Sequence, residues 1–218
     1  MSTTVEISPH ASDNFVGNDG ASNWANAISG ANGTRLRGSI GTQRDGSGAL
    51  YNNVYAWRCR RAIYNFDTSL IPDDAIIESA NLYFYGFLTT AGLRFDAYLV
   101  QQASVSNTSV VATDYNTFGR TTAGADNPAV ITTKNVWTAL SIPLNSVGLG
   151  WIDKTGYTKL GLMNYYDFNQ ITPPQENAAR SGVNFSEDTV YTPPYLEVTY
   201  SAASPAAQTA RRGVIMMM

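Results

Sequence analysis

Between residues 61 and 87 apolar and polar side chains alternate in two runs of opposite phase, the pattern of two β-strands that each bury one face. Ala62, Tyr64 and Phe66 share one side of the first run, and Ala80, Leu82 and Phe84 share one side of the second. Ile71-Pro72-Asp73-Asp74 lies between them, where a proline-set dihedral and two carboxylates able to bond their own backbone predict a sharp bend. Leu93, Phe95, Ala97 and Leu99 alternate with Arg94, Asp96 and Tyr98, which predicts a further strand with the second set outward. Residues 137–144 form another, with Pro143 marking an end or an edge. A helical turn is expected within 145–152, and strands at 159–166, 180–187 and 195–200 close the sheet.

The remaining stretches carry weaker patterns. A short strand is expected at 4–7. Residues 21–33 are rich in Asn, Gly, Ser and Ala and read as loop around a pinned Trp24, followed by a strand near 34–39. Residues 102–134 read as a long connection with short strand pieces. Around residue 60 the parities conflict: Tyr55, Trp57, Cys59 and Arg61 run with Ile63, whereas Ala62, Tyr64 and Phe66 have the opposite phase. Two-sided burial explains this better than a bulge near Arg60. One β-sandwich over residues 1–202 follows, with Tyr64, Phe66, Leu82, Phe84, Phe95, Leu99, Leu162 and Leu196 in its core.

The order aromatic-Asn-Phe-Asp-x-Ser-x-Ile-Pro-x-x-Ala-x-Ile-x-Ser-Ala-x-Leu, from Tyr64 to Leu82, resembles the DNRLRE-type jelly-roll domains grouped with carbohydrate-binding module family 96. Upstream, Asp13-x-Phe15, Asn23-Trp24 and Leu36-x-Gly38 look like that family's opening pattern. Downstream, Leu160-Gly161-Leu162, Phe185-Ser186-Glu187 and the run from Pro194 to Tyr200 look like its closing strands, and Trp151 matches a tryptophan in its short helix. The resemblance implies an all-β jelly-roll sandwich of two antiparallel sheets with long loops. It also implies one of two settings, a phage structural protein or an accessory module of a polysaccharide-degrading enzyme.

Composition narrows the function. Charged residues are 14% of the chain, low against the ~25% typical of soluble domains, so the surface is mostly neutral polar with 13 Tyr and 4 Trp added. A net charge of −3 leaves no basic stripe for nucleic acid. Arg58, Arg60 and Arg61 are expected on a solvated strand, paired with carboxylates. One Cys and one His rule out an internal disulfide and a multi-histidine metal site. No nucleophile elbow, P-loop or zincin motif occurs, and the acids sit mostly in turns, so no enzyme is expected. Asp13, Asp19 and Asp45 are the loop acids to inspect for a structural calcium. No signal peptide or membrane span is visible, which suits a protein made in the host cytoplasm and assembled there into a virion.

Two functional readings follow. As a virion decoration or fibre component, the chain would meet other assembly proteins or copies of itself, with glycan contact as an added surface role. As a carbohydrate-binding module, it would offer Trp24, Tyr51, Tyr55, Trp57, Tyr165 and Tyr166 as stacking faces. Tyr83, Tyr85 and Phe87 point away from the expected core, and Tyr98 is expected to join them in an apolar patch needing cover. Residues 203–218 read as a flexible tail ending in a hook, Arg211, Arg212, Val214, Ile215, Met216, Met217 and Met218, which assembly would bury.

Overall fold

In chain order the elements are β1 (Ser2–Ile7), β2 (Asn14–Ala21), α1 (Trp24–Ser29), β3 (Arg35–Leu36), β4 (Gly48–Asn52), β5 (Ala56–Asp67), β6 (Ile76–Leu88) and β7 (Phe95–Gln102). A 3-10 turn (Ala112–Asn116) leads to β8 (Phe118–Ala123), β9 (Ala129–Ile131), β10 (Thr138–Pro143), α2 (Ser146–Leu149), β11 (Tyr157–Asn164), α3 (Tyr165–Phe168), β12 (Ser181–Val183) and β13 (Tyr195–Ser201). This is a computed structural model, and it describes residues 1–30, 35–36, 48–52, 56–88, 95–173 and 181–203.

The strands form two antiparallel sheets, one ordered β1-β13-β6-β10 and the other β3-β2-β5-β11-β7-β8. Numbering β1, β5, β6, β7, β8, β10, β11 and β13 from one to eight, the sheets read 1-8-3-6 and 2-7-4-5, the double Greek key of a jelly roll. β2 and β3 extend the second sheet beyond β5, while β4 pairs with β5, β9 with β7 and β12 with β6. The bend between β5 and β6 therefore carries the chain from one sheet to the other. Ile71 is fully buried at this corner, and its N–H donates to the Thr68 carbonyl at 3.0 Å. Pro143 ends β10, the edge of its sheet, where a missing N–H costs no ladder bond.

The core lies between the sheets. Tyr64, Phe66, Leu82, Phe84, Leu99, Leu162 and Leu196 are all buried there, as their parities predict; the side chain of Phe95 lies outside the described residues. The packing is close. A Cβ on Gly86 would come within 2.3 Å of Ile131 Cδ1, so the missing side chain lets Ile131 of β9 reach across from the opposite sheet.

A second hydrophobic cluster covers the outer face of the larger sheet, and here the sequence expectations need correction. Residues 24–29 are a helix, α1, capped by the Asn23 side chain accepting from Asn26 N–H at 2.8 Å and closed by Gly30 at φ 74°. Tyr165 and Tyr166 begin another short helix, α3, capped by Asn164, instead of ending a strand. Trp24 and Tyr166 are buried in this cluster with Cys59, Ile63, Tyr115 and Met163. Both faces of β5 are thus buried, which settles the parity conflict in favour of two-sided burial.

Arg61 is not on a solvated strand. It is 1% exposed, and its guanidinium forms a two-point ion pair with Asp167, Nε to Oδ2 at 2.6 Å and Nη2 to Oδ1 at 2.9 Å. It also donates to the Ile28 carbonyl at 2.9 Å, to the Tyr115 carbonyl, and lies 3.9 Å from the Tyr115 ring centroid. An acceptor at every guanidinium nitrogen, one of them a carboxylate, is what lets the charge stay buried. Because Ile28 lies in the last turn of α1, Arg61 also satisfies a carbonyl that the helix cannot, tying α1, α3 and the 3-10 turn to β5. Asp96, expected outward, is likewise fully buried.

Candidate functional site

On the smaller sheet the outer face carries a ladder of half-exposed rings. Tyr83, Tyr85 and Phe87 alternate outward along β6 while Leu82, Phe84 and Leu88 point into the core. Tyr195 sits directly across from Tyr83 in the β13–β6 register, and Thr138 opposite Gly86 in the β10–β6 register brings Trp137 beside Phe87. The pairs stack: Tyr83 with Tyr195 at 4.6 Å between centroids and 13°, Phe87 with Trp137 at 5.2 Å and 22°. Tyr191 joins the middle, 4.9 Å from Tyr85 and 5.7 Å from Trp137.

The spacing fixes how these rings are presented. Two rings lying flat side by side need about 6 Å between centroids, given carbon contacts near 3.5 Å. At 4.6 Å the faces of Tyr83 and Tyr195 must overlap, so the rings lean against each other and offer edges and hydroxyls outward. One end of the ribbon is acidic. Glu6 pairs with Glu197 across β1–β13, and Tyr83 Oη donates to Glu197 Oε1 at 3.4 Å. Partial burial and then the Glu197 carboxylate hold the Tyr83 phenol above its ordinary pKa, and burial and then Glu6 do the same for Tyr195, so both hydroxyls remain protonated donors.

Polar groups beneath the ribbon hold it in place. Asn184 is fully buried between β12 and β13. Its N–H donates to the Tyr85 carbonyl at 3.0 Å, its Oδ1 accepts from Tyr85 N–H at 2.8 Å, and its Nδ2 donates to the Thr192 carbonyl at 2.9 Å. The side-chain amide continues the ladder where backbone pairing lapses, and it fixes the segment bearing Tyr191. Two residues on, Ser186 donates from its N–H to Asp13 Oδ2 at 2.9 Å and from its hydroxyl to Oδ1. Burial pushes the Asp13 carboxyl up to about 7, against the lowering effect of those hydrogen bonds.

The other sequence-nominated residues are distributed differently. Tyr98 belongs to β7 in the larger sheet, stacked on Phe168 at 4.4 Å, so it does not join the patch on β6. Trp24 and Tyr166 are buried and offer no open face to a sugar; Tyr165 is half-buried between Tyr166 and Tyr98. Tyr51 and Trp57 are register partners on β4 and β5, but their side chains, like Tyr55, lie outside the described residues. Asp19 stands opposite Arg58 in the β2–β5 register with its side chain likewise undescribed, and Asp45 and the hook residues 211–218 also fall outside. Both oxygens of Asp13 are taken by Ser186, and among the described residues no three His, Cys, Asp or Glu gather as a metal site.

A polar cleft of about 550 Å³ opens at the end of the sandwich between the residues after β7 and the segment leading into β11. Gln101, Asn107, Asp153 and Lys159 supply its polar walls, and Trp151 and Tyr157 its rings. Trp151 is held rigidly, since a Cβ on Gly124 would lie 2.2 Å from its ring. Sequence reasoning found Tyr83, Tyr85 and Phe87 from parity alone, but missed Tyr191, Tyr195 and Trp137. The outward phase of Tyr195 with Glu197 along 195–200 was the available signal. No helix among the described residues is long and apolar enough to cross a membrane. No protein-family model matches the chain, and no curated protein matches it in sequence.

Proposed function

We propose that this protein is a non-enzymatic assembly module that docks to other proteins through the aromatic face of its smaller sheet, in the setting its resemblance implies, as a structural component of a phage particle. The observation that carries the docking reading is the ribbon from Tyr195 and Tyr83 through Tyr85 and Tyr191 to Phe87 and Trp137. Tyrosine and tryptophan combine large contact area with few rotatable bonds and a polar tip, which is why they concentrate at protein interfaces. Rings already stacked on one another suit a protein surface that inserts between edges better than a sugar ring that needs an open face. The phage setting rests on the sequence resemblance. Mass spectrometry of purified particles is expected to find the chain, and Tyr85→Ser with Phe87→Ser is expected to remain folded but drop out of the particles. Normal incorporation of that variant would refute docking through this face.

The cleft favours a second reading. Two half-exposed rings, amides and one charge of each sign suit a polyhydroxylated ligand, and the volume falls in the ~300–1,000 Å³ range of ligand sites. Binding on a glycan array that Trp151→Ala abolishes and the ribbon variant leaves intact would support a carbohydrate-binding module.

A further inference from the structure

We propose that β1 is a self-pairing edge, through which two copies of the chain join their smaller sheets into one continuous antiparallel sheet about a two-fold axis at Thr4. The pairing is independent of what the aromatic ribbon binds.

An edge strand offers unpaired N–H and C=O groups to any other strand unless something blunts it. Among the described residues, three of the four sheet edges are blunted. β3 covers only two residues, β8 meets β7 with a register shift between Val100 and Gln102, and β10 ends in Pro143. β1 is the exception. It runs six residues against β13 without a break in register, and Ser-Thr-Thr-Val-Glu-Ile contains no proline, glycine or lysine. Four of the six are β-branched and favour a strand. Ser2, Thr3, Thr4 and Glu6 are exposed, and Thr3 is so although its phase, shared with half-buried Val5 and buried Ile7, turns it toward the core side. The sandwich is therefore open along this edge. Among the described residues the larger sheet is widened elsewhere: β2 pairs with Ile63 to Trp57 of β5, whereas Ser2 lies level with Ser201 and Ile76 at the β5–β6 corner, the opposite end.

A second copy fits this edge better than an arbitrary strand, because the sequence about Thr4 complements itself. Antiparallel pairing centred there sets Thr4 against Thr4 of the second copy, Thr3 against its Val5 and Ser2 against its Glu6. Thr4 Oγ1 already lies 3.0 Å from Thr199 Oγ1, so the central row becomes four threonines across the seam, a favourable cross-strand arrangement. Charge selects the same register. Glu6 already faces Glu197 across β1–β13. A centre at Thr4 keeps the two Glu6 carboxylates about 13 Å apart, at ~3.3 Å per residue, which exceeds the ~8 Å screening length of physiological salt. A centre one residue on, at Val5, would halve that distance. Pairing uses up both β1 edges, so assembly through them stops at two copies. The axis stands perpendicular to the sheet, so both aromatic ribbons face the same way and the pair presents two of them to one partner surface.

Sedimentation velocity of the full chain is expected to show a dimer at micromolar concentration. Thr4→Lys, which sets two ammonium groups opposite each other on an exposed row, is expected to weaken it at least about tenfold. Thr4→Cys tests the register without depending on how the lysine is tolerated. Opposed Cα atoms in an antiparallel pair lie about 4.5–5.5 Å apart, within disulfide reach, so mild oxidation is expected to cross-link the chains. Glu6→Cys is expected to stay unlinked, with the unsubstituted chain, whose Cys59 is buried, as the control. A chain that remains monomeric, a dimer indifferent to Thr4→Lys, or cross-linking of Glu6→Cys as readily as Thr4→Cys would overturn the proposal. So would a dimer that Tyr85→Ser with Phe87→Ser dissolves and Thr4→Lys leaves intact, since the copies would then meet through the ribbon.

Discussion

The two sheets of this sandwich treat their outer faces in opposite ways. The larger sheet is sealed by its own chain: α1, α3 and the 3-10 turn lie over Cys59, Ile63, Val100 and Met163, and Arg61 bonds to all three. The smaller sheet presents six rings that are only half-buried. Both faces carry apolar side chains, yet among the described residues only the first has a buried charge network tying local segments onto it. Stacked rings are less selective about what covers them. On the proposed function, the difference separates a face that serves stability from one that serves contact.

The sharpest way to break the comparison is at Asp167. Asp167→Ala leaves the Arg61 guanidinium buried without its carboxylate, and losing one partner of a buried pair costs about 3–5 kcal/mol. Chemical denaturation is expected to show that loss. Replacing Arg61 and Asp167 together by Met and Leu is expected to cost much less, since it leaves no stranded charge. A single substitution no worse than the double would mean that the network does not hold the covering helices.

A somewhat smaller effect is expected from pH at Asp13, which holds Ser186. Its carboxyl is raised from 3.8 to about 7 in the folded chain, so between those values the folded state binds a proton that the unfolded state has released. The stabilisation is therefore complete below about 4, declines as pH rises and is gone above about 7. At ~1.4 kcal/mol per unit the full change is up to about 4 kcal/mol. Melting curves of the wild type and Asp13→Asn across this window are expected to differ in slope, with the variant flatter; parallel curves would count against it.

The ribbon substitutions should have the least effect on stability. Tyr85→Ser with Phe87→Ser removes partly exposed surface, so a loss of roughly 1–2 kcal/mol is expected in denaturation, together with loss of assembly. A loss as large as that at Asp167 would mean that the rings are a structural layer like the one over the larger sheet.

How much of this was legible in the sequence follows the same division. The strands at β6, β7 and β13 were readable because a period of two over six or more residues leaves a clear pattern, whereas β5, buried on both faces, gave conflicting parities that had to be resolved by two-sided burial. The helices α1 and α3 were not readable, since six and four residues complete barely a turn or two, and their Asn caps look like loop composition. Arg61 could not be paired with Asp167 across 106 residues of chain, and an arginine reads as solvated by default. Half of the ribbon was visible in the outward phase of Tyr83, Tyr85 and Phe87. Tyr98 was misplaced because parity gives a side within a sheet and says nothing about which sheet.

The central claim is that one outer face is closed by the chain and the other by what the chain binds. Hydroxyl-radical footprinting of the isolated protein and of the assembled particle measures this ring by ring. Tyr83, Tyr85, Phe87, Trp137, Tyr191 and Tyr195 are expected to lose reactivity on assembly, while Tyr98, Tyr165 and Phe168 keep theirs. Rings of the smaller sheet that stay reactive in the particle, or protection that falls on the larger sheet instead, would contradict the account.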